Sequence, residues 1–229
     1  MLDLPYALGL TAPVLQAPMA GSQDHRLAVS AASAGALGAL PAATLDPAGL
    51  EHELRAFHAL SAAPLNVNFF CHPMPTPDPH REAAWRETLR PYYEEFGLPL
   101  EPRAGPLRRP FDHDAADVLE AFRPAVVSFH FGLPALDLLD RVKRWGALVL
   151  SSATTVDEAR YLEARGVDVV IAQGVEAGGH RGMFLDDDPG TQVGTFALLP
   201  QVTRTVSVPV IAAGGVADAR GVRAARLLG

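Results

Sequence analysis

Short apolar runs alternate along the chain with longer amphipathic stretches. Most runs are apolar at consecutive positions rather than at every second one, the mark of strands buried on both faces. The pattern predicts seven strands, at 14–19 (VLQAPM), 37–43, 65–70 (LNVNFF), 125–131, 147–152, 167–173 and 209–213. Helices are predicted at 24–34 behind an Asp24 cap, at 46–59, 135–145, 156–165 and 195–206, and from Asp218 onward. The stretch 71–110 breaks the rhythm. It is rich in Pro, Arg and Glu, carries a predicted helix at 81–96, and is expected to be an insertion between strands.

Strands alternating with helices imply a parallel sheet under helical cover. Two closures are open, a (β/α)8 barrel and a doubly wound sheet. A dinucleotide-binding unit of the second kind carries G-x-G-x-x-G after its first strand. Here the first strand runs into Ala17-Pro18-Met19-Ala20-Gly21, which does not match. Polar and glycine-rich residues recur instead at the C-terminal ends of many strands, as in barrel enzymes. The expectation is therefore an α/β fold of the TIM (β/α)8-barrel type, one domain over 1–229 with the insertion at 71–110. The pattern gives out at Leu227-Leu228-Gly229, inside the predicted seventh helix, so the barrel is expected to be truncated before its eighth strand.

Composition narrows the class. With 48% hydrophobic and 20% charged residues in 229, the chain holds enough apolar content for a core and too little charge for disorder. A net charge of −7 and a pI near 5.6 argue against a nucleic-acid partner, and the Arg103–Arg109 cluster reads as a solvated loop. Cys71 is the only cysteine, which excludes an internal disulfide or a thiolate metal cluster and fits a reducing cytoplasm. The start, Met1-Leu2-Asp3-Leu4-Pro5, lacks the basic region and apolar core of a signal peptide. No apolar run approaches the ~20 residues of a membrane span. A soluble, cytoplasmic protein without a membrane partner is expected.

The chemistry concentrates in 169–182 (VVIAQGVEAGGHRG), a buried strand that breaks into a loop with glycines at 174, 178, 179 and 182. Glycine lets backbone lie close against a ligand. His180 in such a loop suits a general base or a hydrogen-bond donor to an anionic substrate, against the plainer reading of His180-Arg181 as an exposed polar tip. Gln173 ends the strand with donors and an acceptor suited to an amide or imide edge. Asn66 and Asn68 share one face of their strand, as do Ser128 and His130 of the next; either pair serves a ligand or a hydrogen-bonded interior. Gly214-Gly215 ends the seventh predicted strand, where barrels commonly hold phosphate, or makes a tight turn that only needs glycine. No H-E-x-x-H, carboxylate cluster, G-x-S-x-G or P-loop motif occurs, so neither a metal site nor a serine nucleophile is expected.

Five segments together resemble the nitronate monooxygenases, formerly called 2-nitropropane dioxygenases. They are Gln16-Ala17-Pro18-Met19-Ala20-Gly21, Asn66-Val67-Asn68-Phe69, Ser128-Phe129-His130-Phe131-Gly132, the stretch from Gln173 to Gly182, and Ala213-Gly214-Gly215-Val216. The resemblance implies an FMN-dependent, metal-free TIM barrel that oxidises alkyl nitronates with O2 to a carbonyl compound and nitrite. Carried over by position, Ala17, Met19 and Asn68 line the flavin, Gln173 contacts its ring system, and Gly178 and Gly179 approach it. Gly214 and Gly215 hold the FMN phosphate. His180 is the catalytic residue, deprotonating a nitroalkane or stabilising the nitronate, and His130 is a secondary substrate-side residue. Unpaired edges on the first and seventh strands leave a homo-oligomer open. Two alternatives stand beside this reading: an FMN-dependent enoyl-acyl-carrier-protein reductase, a sister group with a similar Gly-Gly-His loop, and a truncated, non-catalytic barrel fragment.

Overall fold

A computed structural model describes residues 3–101 and 108–229. Most of the Arg103–Arg109 cluster and the first two residues lie outside these. The helices are α1 (Leu4–Ala7), α2 (His25–Ser33), α3 (Pro47–Leu60), α4 (Pro79–Glu95), α5 (His113–Phe122), α6 (Leu136–Arg144), α7 (Val156–Ala164), α8 (Thr195–Thr203) and α9 (Ala219–Leu228). The strands are β1 (Gly38–Pro41), β2 (Leu65–Phe70), β3 (Val126–His130), β4 (Leu148–Ala153), β5 (Val169–Gln173) and β6 (Val210–Ala213). Short polar residues start the helices: Asp24, Asp46, Asp112, Thr155 and Asp218 each accept a backbone N–H from the first turn that follows. Among the described residues, no helix is long and apolar enough to cross a membrane.

The chain divides into two compact units, Met1–His72 with Arg109–Gly229, and Pro73–Arg108. In the first, all six strands pair in parallel in the order β1-β2-β3-β4-β5-β6. Each strand is added beside the one before it. A doubly wound sheet reverses direction at a switch point; the steady progression is that of the (β/α) barrel. The second unit carries α4, no residue of which is buried.

The sheet has two apolar faces. One packs Val67, Phe69, Val127, Phe129, Val149 and Val170 against the helices. The other gathers Leu37, Val126, Leu150 and Val169, closed at the strand starts by Leu4 of α1. Along this second face the residues turn polar toward the strand ends: Val126, Ser128, His130 on β3; Leu148, Leu150, Ser152 on β4; Val169, Ile171, Gln173 on β5. Apolar strand starts fill the interior, and polar strand ends are left for chemistry.

Two expectations needed correction. The predicted strand at 14–19 forms only a bridge, Leu15 with Leu37. Pro18 has no N–H for the ladder, so the Gln23 amide donates to the Ala39 carbonyl instead (2.7 Å), while Gln16 Oε1 accepts from the Ala39 N–H (3.0 Å). Side chains replace two ladder bonds. The pattern also gave no helix over 113–122, where α5 forms behind its Asp112 cap with Ala116 and Leu119 buried. Its apolar positions recur at helical spacing behind that cap, so the signal is present in the sequence, directly after the stretch read as an insertion.

Candidate active site

The polar strand ends converge on the loop after β5. Gln173 is buried, and its amide closes that loop: Nε2 donates to the His180 carbonyl (3.0 Å), and Oε1 accepts from the Gly182 N–H (2.7 Å). His130, at the end of β3, reaches the same carbonyl through Nε2 (3.1 Å) and meets Ser152 Oγ of β4 through Nδ1 (3.0 Å). A carbonyl only accepts, so Nε2 carries the proton and Nδ1 accepts from the Ser152 hydroxyl. This arrangement needs a neutral ring. Burial pushes the His130 pKa down to about 4, which keeps it neutral.

With its carbonyl held twice, His180 turns its side chain outward, and it is exposed. Its ring stands nearly perpendicular to Phe131 (5.8 Å, 86°) and at 68° to Phe70 (5.1 Å). Among the described residues, none hydrogen-bonds to its ring nitrogens. Phe131 has φ of 68°, followed by Gly132 at 88°. A bulky residue in the left-handed region costs about 1–2 kcal/mol and needs support from its surroundings. Ser151 Oγ donates to the Gly132 carbonyl (2.9 Å), and the Phe184 ring lies where a Cβ on Gly132 would come within 3.2 Å.

The four loop glycines divide into two kinds. A Cβ on Gly174 would lie 2.1 Å from Thr195 Oγ1, and one on Gly182 would lie 2.6 Å from His130 Cε1. These two are glycine because protein packs on protein. A Cβ on Gly178 or Gly179 would meet nothing within 4 Å, so that backbone faces open space. Arg181 parts company with His180: it folds inward and donates from Nη2 to the Gly174 carbonyl (2.5 Å).

Glu176 was not singled out in the sequence, yet it joins two candidate segments. Helix α8 has Gly194 as its N-cap and no capping side chain of its own. Glu176 Oε2 serves instead, accepting from the Thr195 N–H (2.7 Å) and hydroxyl (2.8 Å); the backbone N–H above all holds this carboxyl below its ordinary pKa. Thr195 Oγ1 is also 2.9 Å from the Gly214 carbonyl. Gly214 (φ 118°) and Gly215 (φ 69°) pack directly against Ala177 and Glu176. The N-terminus of α9 is already capped by Asp218, which accepts from the Gly221 N–H (2.8 Å), so an anion here would meet the glycine turn rather than the helix end.

The remaining expected residues are placed as follows. Asn68 is buried and donates to Ser128 Oγ across the sheet (3.0 Å). Asn66 is 4% exposed, and its Oδ1 has no hydrogen-bond partner among the described residues. Ala17 and Met19 are exposed after the Leu15 bridge, and no described hydrogen bond or ring contact joins them to the His180 network. A hollow of about 180 Å³ opens beside β1, lined by Gly21, Asp24, Pro41 and Thr44 among others, away from His180. No cluster of three or more His, Cys, Asp or Glu side chains able to hold a metal occurs among the described residues.

The family model for nitronate monooxygenase matches residues 6–229. A nitronate monooxygenase of Paraburkholderia phytofirmans is 41% identical over 225 residues, covering 97% of this chain and 61% of that protein. One from Pseudomonas aeruginosa is 41% identical over 224 residues, covering 97% and 64%. Among solved structures, nitroalkane oxidase from Streptomyces ansochromogenes superposes with a TM-score of 0.84 at 36% identity, over 96% of this chain and 63% of that one. FabK from Thermotoga maritima follows at 0.70 and 28% identity, over 97% and 57%. The chain thus spans about three-fifths of the length of the curated relatives it matches. A match over nearly every residue, on a steady parallel progression of strands ending in the Gln173–His180 network, shows that this chain belongs to the nitronate monooxygenase family.

Proposed function

We propose that the chain is the flavin-binding barrel portion of an enzyme that oxidises alkyl nitronates with O2 to a carbonyl compound and nitrite. The observation that carries this reading is the double hold on the His180 carbonyl by Gln173 and His130. It fixes the backbone at the polar end of the sheet and leaves the imidazole free to act. On a neutral nitroalkane, a ring nitrogen of His180 takes the proton from the carbon bearing the nitro group; on a preformed nitronate, a ring N–H donates to an anionic oxygen. His130 has both ring nitrogens engaged within the protein. Its part in this reading is to hold His180, beside the substrate-side place that the family resemblance gives it.

The residues present fit FMN. Gly178 and Gly179 offer backbone against open space. Ala17, Met19, Asn68 and Gln173 would accompany them at the ring system, and the turn Gly214-Gly215 would take the phosphate. Bound FMN supplies the exchange of electrons with the nitronate and with O2. The fold is read as one barrel domain with 71–110 as an insertion, and its partners as a small nitronate and O2.

The test is to titrate the protein with FMN, record the visible spectrum, and then follow O2 uptake and nitrite with an alkyl nitronate. Bound flavin with nitronate-dependent O2 uptake, lost in His180→Ala, is the expected result. Bound flavin without that uptake overturns the reading. Oxidation of a nicotinamide cofactor coupled to an enoyl thioester would replace it with the reductase.

A further inference from the structure

We propose that Glu158 is a positioning residue for His180, its buried carboxylate fixing the far half of the loop that carries the histidine. Glu158 stands in the first turn of α7 and is 1% exposed. Its Oε2 accepts from the Thr154 N–H (2.6 Å) and hydroxyl (2.7 Å). Its Oε1 accepts from the Phe184 N–H (2.6 Å) and the Leu185 N–H (3.2 Å). A buried carboxylate is costly unless donors surround it, and here two sets of donors do.

Starting α7 does not need this arrangement. Thr155-Val156-Asp157-Glu158 spells a capping box, in which the glutamate reaches back to the N-cap N–H. Thr155 fulfils its half, accepting from the Glu158 N–H (3.2 Å). The Glu158 carboxylate goes elsewhere, one residue further back to Thr154 and across to the β5 loop. Thr154 Oγ1 also accepts from Gln192 Nε2 (3.1 Å), so the same knot ties the loop again just before α8.

The consequence for His180 is geometric. Gln173 and His130 hold residues 180 and 182, and Glu158 holds 184 and 185; only Met183 lies between the two sets of bonds. Fixing Phe184 N also seats the Phe184 ring between Tyr161 of α7 (5.4 Å) and Gly132. Gly132 directly follows Phe131, whose ring faces His180. Glu158 thus bears on both the loop behind His180 and the aromatic ring beside it.

That His180 is catalytic rests on the proposed function; the clamp itself does not, and the experiment separates the two. In Glu158→Gln the amide accepts on one side only and points N–H groups at donors on the other. Amide hydrogen exchange and the His180 ring resonances are followed by NMR, with the His25 ring, between α2 and α3, as control. Exchange at Phe184 and Leu185 is expected to rise about tenfold or more, the scale of a lost hydrogen bond to a charged group. The His180 ring resonances should move, while β4 and β5 keep their protection and His25 stays. Thr154→Val should give the same pattern more weakly, and Thr154→Ser should restore it to wild type, which keeps the test alive if Glu158→Gln fails to fold. In a flavin-loaded, active preparation, kcat should fall about tenfold with KM little changed. Wild-type exchange at 184 and 185 overturns the clamp. So does a uniform loss of protection with the His180 ring unmoved, the mark of a merely structural residue. Absence of nitronate turnover in the unsubstituted protein would sink the functional reading and leave the exchange result to decide the clamp.

Discussion

Two long excursions leave the strand ends and are built on opposite plans. The loop after β5, residues 174–194, has one short 3-10 turn, Pro189–Thr191, and otherwise no regular structure. Buried or half-buried side chains hold it along its length: Gln173, His130, Glu158 and Thr154. The unit Pro73–Arg108 carries the 17-residue helix α4, yet no residue of that helix is buried, and among the described residues its ion pairs include the local ones Arg86–Glu82 and Arg90–Glu87. Regular backbone is therefore a poor guide to which segment is fixed. The loop that carries His180 is held by polar groups from strand ends and from the start of α7, while a solvated helix is ordered by its own turns.

The largest effect should come from a single methyl group in each region. In Gly174→Ala the new Cβ would lie 2.4 Å from backbone atoms of Thr195, so α8 or the loop must shift. Overpacking against backbone should cost about 3 kcal/mol, a fall in Tm of about 10 °C. Gly97 has φ of 61° with nothing within 4 Å of its Cβ position, so Gly97→Ala meets only the left-handed backbone cost of about 1 kcal/mol. Thermal melts of the two variants test the contrast. Equal shifts would break it.

Acid should also separate the regions. The His130 pKa falls from 6.5 to about 4 on folding, so the unfolded chain binds the proton first. Its contribution to stability is complete above about pH 6.5 and is lost as pH falls from there toward 4, up to about 3 kcal/mol at 1.36 kcal/mol per unit. Below that window both states are protonated and this loss stops. Denaturant melts across the window should show that slope, and His130→Gln should flatten it. An unchanged slope would mean that another group carries it.

Gln173→Leu sharpens the comparison further. The His180 carbonyl would keep its bond from His130, but the Gly182 N–H would lose its only described acceptor. An orphaned buried N–H costs about 2 kcal/mol. Hydrogen exchange should rise at Gly182 first, with α4 amides unaffected; protection retained at Gly182 would show that the side chain is dispensable.

How far the sequence carried this picture follows from what each interaction looks like in one dimension. The strand LNVNFF is β2 residue for residue, because an apolar run bounded by polar turns is a local signal. Gln173, His180 and the two glycine turns were legible by type and by place at strand ends. The separation of the glycines into packed and open pairs was not, since it depends on Thr195 and His130 arriving from other segments. Glu158 was hidden more thoroughly. Its sequence neighbours spell a helix cap, and its distant partners are the N–H groups of Phe184 and Leu185, which any residue type would supply. Strand 14–19 failed for the converse reason: its apolar pattern is right, but Pro18 removes a donor and glutamine amides stand in.

The smallest expected effect belongs to the solvated helix. Arg90 and Glu87 are an i,i+3 pair at 2.6 Å with both side chains open to water. The hydrogen bond from Arg90 holds the Glu87 carboxyl below its ordinary pKa, so whatever the pair contributes is present above about pH 4.5 and is lost as acid protonates the carboxylate. Exposed pairs gain little, because water and salt screen them and ordering two long side chains costs entropy. Arg90→Ala should therefore leave Tm and far-UV helicity at pH 7 unchanged within error, in low and high salt alike. A salt-dependent loss of helicity would show that α4 depends on its surface charges as the β5 loop depends on Gln173 and Glu158, and the two plans would be one.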